Sequence, residues 1–375
     1  MRFSDIPGLY EEKERLIQSF KNNTIHHALL FIGQQGSANL SLALAFSSYI
    51  NCEKRSSNDS CGDCHSCSKM DKLIHPDLNF VFPVAPTTKI SKEVISDKFV
   101  ESWRSSVIES PYLSVEDWFE IYGFENKQPN ISKDEVRNLM RKLTLKPFES
   151  KFKITLIWLP EFLHLSTSNA FLKILEEPPG DTLFFLVTNN HQKLISTIRS
   201  RVQTFKVKNF LDEDMKKYLS SSQDLSEDDI NQAIYLSDSD LNKAQKYLQA
   251  SDTRNLEQFK LWMRGCYSQN FVEINSLVDW FNSLSKIKKR AFLIYSLKLM
   301  REALVSRIDE SLSRISEEEM SFISKFRVTL ESDDFENIVL YVDETIRYLD
   351  RNANPKILFL DLSIKISDLF KKVKT

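Results

Sequence analysis

His27-Ala28-Leu29-Leu30-Phe31-Ile32-Gly33-Gln34-Gln35-Gly36-Ser37-Ala38-Asn39-Leu40 runs from an apolar, strand-like segment through a glycine turn into the start of a helix. Strand, glycine loop and helix in that order make the frame of a phosphate-binding loop. A working loop reads Gly-x4-Gly-Lys-[Ser/Thr]: backbone amides cradle the phosphates, the lysine reaches the β and γ phosphates, and the hydroxyl holds magnesium. Here Ala38, Asn39 and Leu40 fill the last three places. With neither cation nor magnesium ligand, the charge of a triphosphate goes uncompensated. The frame at Gly33 and Gly36 is therefore read as a nucleotide site that has lost ATP hydrolysis. Taken alone, two glycines three apart also suit a plain strand–turn–helix junction.

The flanking pattern argues for the larger frame. A helix is expected from Tyr10 to Asn22, a strand over Ala28–Ile32 and a helix from Leu40 to Ile50; a β-branched and aromatic run follows at Phe80 to Val84. Ser132 can cap a helix reaching Leu145, with Glu135 at the capping-box position and Val136, Leu139, Met140 and Leu143 on one apolar face. Two buried-strand runs come next, Ile154 to Leu159 and Leu183 to Val187, separated by a helix from about Ser166 to Glu177. Strands alternating with helices predict a parallel sheet covered on both faces. From Leu211 onward strand signals largely stop. Apolar residues then recur at helical spacing, ending in a helix over Ile357–Phe370 with Asn354 as cap and Pro355 in its first position. The scarcity of glycine, 7 residues in 375, agrees with long helices.

A second motif lies just beyond the loop: Cys52-x8-Cys61-x2-Cys64-x2-Cys67. Short Cys-x2-Cys steps let the amides of a tight knuckle approach two sulfurs while Cys52 returns as the fourth thiolate, which suits tetrahedral zinc. An iron–sulfur run would place another cysteine three residues after Cys67, where Met70 stands. Reduced cysteines scattered in a loop are the plain alternative, disfavoured because only Cys266 lies elsewhere. With four thiols available, neither His65 nor His75 is expected to bind metal. Nothing in Met1–Phe20 resembles a signal peptide, and no apolar run approaches the ~18 residues of a membrane span. A cytoplasmic chain with reduced thiols and no disulfides is expected.

A chain of 375 residues is expected to hold two or three domains, and 42% hydrophobic residues can bury ordinary cores. The net charge of −2 carries no general nucleic-acid signature, so any DNA contact must be local. Lys286-Ile287-Lys288-Lys289-Arg290 could touch a phosphate, but such a cluster before a helix is more often solvated.

Ser168-Asn169-Ala170-Phe171-Leu172-Lys173-Ile174-Leu175-Glu176-Glu177-Pro178-Pro179 resembles the clamp-loader branch of the AAA+ ATPases, whose central helix ends in Leu-Glu-Glu-Pro-Pro. The paired prolines stop the helix sharply. Thr188-Asn189-Asn190 occupies the family's sensor-1 position, and Thr197 to Gln203 looks like its Ser-Arg-Cys motif, with Val202 in place of the cysteine. His27 to Phe31 and Asn352-Ala353-Asn354 also resemble this family, and the resemblance covers roughly 1–80 and 130–375. It implies a RecA-like α/β domain over 1–208 with a zinc knuckle at 52–67, a helical lid over 209–252 and an all-helical collar over 253–375.

Within that resemblance, Trp158 and Leu159 stand where the Walker B carboxylates belong, and Asn242 stands where the sensor-2 arginine would contact the γ phosphate. Arg201, with Ser200, remains at the arginine-finger position. Losses in three ATP-handling elements beside a kept arginine are similar to the delta-prime family of bacterial DNA polymerase III loader subunits. The resemblance implies a non-ATPase subunit that assembles with gamma/tau and delta, acts on the sliding clamp and primed DNA, and lends Arg201 to a neighbour's ATP. Two rivals are an active gamma/tau-type ATPase and a zinc-dependent nucleic-acid-binding protein reusing the fold. The stretch 83–130 fits no part of the pattern. Its Trp103, Tyr112, Trp118, Phe119, Tyr122 and Phe124 suit either an insertion packed on the α/β domain or a partner-binding surface.

Overall fold

The computed structural model describes residues 1–124, 127–221, 227–250, 255–308, 317–327 and 330–374. The chain divides into two compact units, Met1–Ser221 with Ser239–Asn242, and Ser222–Asp238 with Lys243–Thr375.

The first unit is built on five strands, β1 (Ala28–Ile32), β2 (Leu78–Val81), β3 (Lys153–Trp158), β4 (Thr182–Thr188) and β5 (Gln203–Lys206). Their order is β2-β3-β4-β1-β5, and every neighbouring pair is parallel. Strands β3 and β4 are buried along their whole length, which is why they read as unbroken apolar runs. On one face the Asn39–Asn51 helix packs in, Phe46 stacking on Phe185 at 5.5 Å; every residue of this helix is buried. On the other, Val136, Leu139 and Leu143 join Phe171, Ile174 and Leu175 against Leu30, Ile157 and Leu186.

Three local expectations are corrected, and one strand was not anticipated. The strand expected at Phe80 to Val84 lies earlier, at Leu78–Val81. Proline cannot donate to a ladder, and with Pro83 next the Phe82 N–H turns to Ser96 Oγ at 3.0 Å. Ser132 caps its helix through the Glu135 N–H, but no capping box closes, because the Glu135 carboxylate accepts the Ser96 N–H at 2.5 Å. Met140 is 46% exposed, outside the apolar face formed by its neighbours. The edge strand β5 went unforeseen, since only Phe205 in it is buried.

The 83–130 stretch carries helices Val100–Glu109 and Val115–Tyr122 and packs on the sheet unit through its aromatics. Trp103 stacks on Phe82 with centroids 4.9 Å apart and lies against Trp158. Trp118 donates its indole N–H to the Pro83 carbonyl at 2.9 Å and meets Phe82 edge-on. Trp103, Trp118 and Phe124 are fully buried, so these rings serve packing. Glu125 and Asn126 lie outside the described residues, as do the side chains of Ser168, Asn169 and Ile287.

The second unit is helical, with no strand among its described residues. Its core joins distant helices: Trp262 donates to Ser363 Oγ at 2.8 Å, and Phe281 stacks on Phe359 at 4.3 Å. Asn354 Oδ1 accepts the Lys356 N–H at 3.0 Å with Pro355 in the first helical position, as expected. Lys286 donates to Asn352, Lys289 to the Leu284 carbonyl, and Arg290 pairs with Asp350, so three cations of the basic cluster have partners within this unit. Among the described residues no helix is long and apolar enough to cross a membrane.

Candidate functional site

The glycine loop sits at the carboxyl end of β1, where parallel α/β sheets place ligands. Gly36 has φ +74, a conformation glycine adopts freely, and a Cβ there would lie 1.9 Å from Asp240 Oδ1. Gly36, Ser37, Ala38, Asn39 and Leu40 are all buried. Asn39, in the lysine's place, donates from Nδ2 to the Thr188 carbonyl at 3.1 Å, and its Oδ1 accepts the Leu40 N–H at 2.9 Å. An amide that would face a phosphate is thus taken by the chain itself. From the β4 end, Asn189 Nδ2 donates to the Gly33 and Gln34 carbonyls at 3.2 and 2.9 Å.

Residues from far along the chain lie over the loop. Gln35 donates to Glu116 Oε2 at 2.6 Å, and Ser41 Oγ donates to the Pro111 carbonyl at 2.8 Å. Asn242 donates from Nδ2 to Asp117 Oδ2 at 2.6 Å and accepts from Ser110 Oγ at 3.2 Å, while the Leu241 N–H donates to the Gly36 carbonyl. The structure therefore brings Gly33, Gly36, Asn39, Leu40 and Asn242 together. Glu116 and Asp117 carried no signal in the sequence, because their partners lie 81 and 125 positions away.

Trp158 and Leu159 are both 1% exposed and offer no ligand atom. Leu159 adopts φ +59 just before Pro160. One carboxylate escaped the sequence reading: Glu161 accepts the Thr188 hydroxyl at 2.8 Å, and burial raises its pKa above the usual carboxylate value. Its signal was there, as the acidic residue two positions past Leu159.

Arg201 follows the short Ser196–Arg199 helix and stays partly exposed. Its Nε pairs with Glu176 of the Leu-Glu-Glu-Pro-Pro string, and Nη1 donates to the Thr197 carbonyl at 3.0 Å and to Ser200 Oγ at 3.3 Å. No partner for Nη2 is found among the described residues. Signature string and arginine segment are thereby one piece of surface.

The four knuckle cysteines converge, with all Sγ atoms within 4.8 Å of one another. Three contacts measure 3.5, 3.9 and 3.8 Å. A tetrahedron of ~2.3 Å zinc–thiolate bonds has edges of about 3.8 Å, so the cage fits such an ion. The Cys61, Cys64 and Cys67 amides donate to Cys52, Cys61 and Cys64 sulfurs at 3.3–3.4 Å. The Cys64 amide, above all, lowers the pKa of the Cys61 thiol to about 6, while burial raises those of Cys52 and Cys67. The knuckle is tied down by Asp59, which accepts the Phe3 and Ser4 amides, and by Arg55, which donates to the Ile50 and Cys52 carbonyls. His75 is held away from the sulfurs, its Nε2 3.3 Å from Ser150 Oγ and its Nδ1 accepting the Asp77 N–H.

The family described as DNA polymerase III, delta subunit, matches residues 10–211, more than half of the chain. The chain belongs to this clamp-loader family. Subunit delta' of DNA polymerase III from Escherichia coli K12 is 28% identical over 195 residues, 52% of this chain and 46% of that protein. Subunit delta' from Buchnera aphidicola is 24% identical over 342 residues, 89% and 86% of the two chains. A tau/gamma subunit from Haemophilus influenzae is 28% identical over 206 residues, 55% of this chain and 24% of that one. The matched part spans less than half the length of the Escherichia coli and Haemophilus relatives.

Proposed function

We propose that the chain is the non-catalytic delta-prime subunit of a DNA polymerase III clamp loader. It joins gamma/tau and delta subunits, takes part in opening the sliding clamp and closing it on primed DNA, and lends Arg201 to the ATP held by a neighbour. The observation that carries this reading is the buried loop, where Asn39 replaces the lysine and is consumed by Thr188 and Leu40. The division into α/β domain, lid over 209–252 and collar over 253–375 belongs to the same reading, as does structural zinc on Cys52, Cys61, Cys64 and Cys67.

A guanidinium beside a neighbour's γ phosphate stabilises charge that develops in the transition state, an effect of ~10³–10⁵ in rate for well-studied fingers. Glu176 pairs with Arg201 while the arginine side chain stays partly exposed. The test is a loader reconstituted with Arg201→Ala: assembly should persist while clamp- and DNA-stimulated ATP hydrolysis falls. Unchanged hydrolysis and loading rates would remove Arg201 from this role.

Glu161 beside Thr188 favours a second reading, an active ATPase of the gamma/tau kind, because it puts one carboxylate near the sensor position. Magnesium-dependent hydrolysis by the isolated chain would establish that reading. Its absence leaves the first.

A further inference from the structure

We propose that the 83–130 insertion is an internal plug that occupies the phosphate-loop mouth and bridges it to the 239–242 segment in place of a nucleotide. In a working site the phosphates link the glycine loop to the sensor-2 segment. Here the first turn of the Val115–Tyr122 helix makes that link: Glu116 holds Gln35 of the loop, and the next residue, Asp117, holds Asn242. Ser110 reaches the same Asn242 from the other side, and Pro111 takes the Ser41 hydroxyl on the helix that follows the loop.

Two further facts make this a plug rather than a casual contact. Asp240 and Asn242 are each 4% exposed, and Asp240 lies so close to Gly36 that even a methyl group has no room there. The groups over the loop are also the wrong charge for a phosphate, since Glu116, Asp117 and Asp240 are all acidic. The segment is held rigidly from behind: Ser114 caps the helix through the Asp117 N–H at 3.1 Å in a closed capping box, and Trp118 is anchored to Pro83. The plug thus supplies the order that a bound nucleotide supplies elsewhere. The inference rests on contacts within this chain and is independent of the role proposed for Arg201.

Hydrogen exchange on the full chain tests it, comparing the unaltered protein with Glu116→Ala/Asp117→Ala. The unaltered protein should protect the Gly36 to Leu40 amides without any nucleotide. The variant should lose about tenfold or more of that protection while β4 amides keep theirs. Equal protection in both overturns the plug. Should β4 lose protection too, Asn242→Ala, which cuts only the bridge, decides by the same comparison. A second measurement uses a fluorescent ATP analogue with magnesium on a chain carrying Asn39→Lys and Leu40→Ser. Affinity gained only when Glu116→Ala/Asp117→Ala is added supports the plug, and micromolar binding with the insertion intact overturns it.

Discussion

Asn39 and Thr188 are joined by a 3.1 Å hydrogen bond, from the side chain that replaces the phosphate-loop lysine to the last carbonyl of β4. The bond ties the loop to the central sheet and uses the position a cation would need. Asn39→Ala removes this bond and the acceptor of the Leu40 N–H, while the Thr188 carbonyl keeps the Gly33 N–H at 3.3 Å, so the cost is that of an ordinary hydrogen bond, ~0.5–1.5 kcal/mol. Urea unfolding should show a lower midpoint with an unchanged slope, and an unchanged midpoint would mean the bond contributes nothing.

The cysteine cage should couple metal to local folding, because thiolates brought within 4.8 Å of one another repel or protonate without an ion. Metal analysis should find one zinc per chain. Cys64→Ser with Cys67→Ser should abolish it and lower the melting temperature by roughly 5–10 °C. Full occupancy in the double variant would show that other groups hold the ion.

Glu135 carries a pH dependence. Burial raises its carboxyl from an ordinary value of 4.5 to about 7, although the Ser96 N–H pulls the other way. The folded state therefore binds the proton more tightly than the unfolded chain. The stabilisation is fully present below pH ~4.5 and is lost as pH rises through about 7, a difference of ~3 kcal/mol as an order of magnitude. Glu135→Gln keeps an acceptor for Ser96 and no charge. Denaturation between pH 5 and 8 should show the falling slope in the unaltered protein and a flatter one in the variant.

Asp77, 1% exposed, accepts the Phe148, Glu149 and Ser150 amides at 2.6, 2.8 and 2.9 Å. This carboxylate fixes the loop before β3. Asp77→Asn turns one acceptor into a donor facing those amides and should destabilise the unit by about 1–3 kcal/mol. Amide exchange at Phe148 to Ser150 should accelerate ahead of the β3 amides, and an equal change in both would show that the loop has no separate dependence on Asp77.

Much of this architecture could be read along the chain because it depends on neighbours in sequence. The runs at β1, β3 and β4 are apolar because both faces of those strands are covered. Ser132 and Asn354 cap helices through amides two or three residues away, and Cys61, Cys64 and Cys67 are spaced for one knuckle. β5 escaped because an edge strand with one buried residue has no apolar run. Met140 escaped because a helix face of correct spacing still ends where its neighbour ends. Glu135 left its expected capping role for a backbone amide 39 positions away.

The sequence by itself determined the strand–loop–helix frame, the missing lysine and the four-thiol spacing, since each is a matter of residue type at short range. Only the tertiary structure decided that Glu116 and Asp117 close over the loop, that Glu176 holds Arg201, and that Glu161 lies beside Thr188. Those relations join residues from 25 to 125 positions apart. Nothing local encodes them, because they arise when the sheet order β2-β3-β4-β1-β5 and the packing of Trp103 and Trp118 bring separate segments to one end of the sheet.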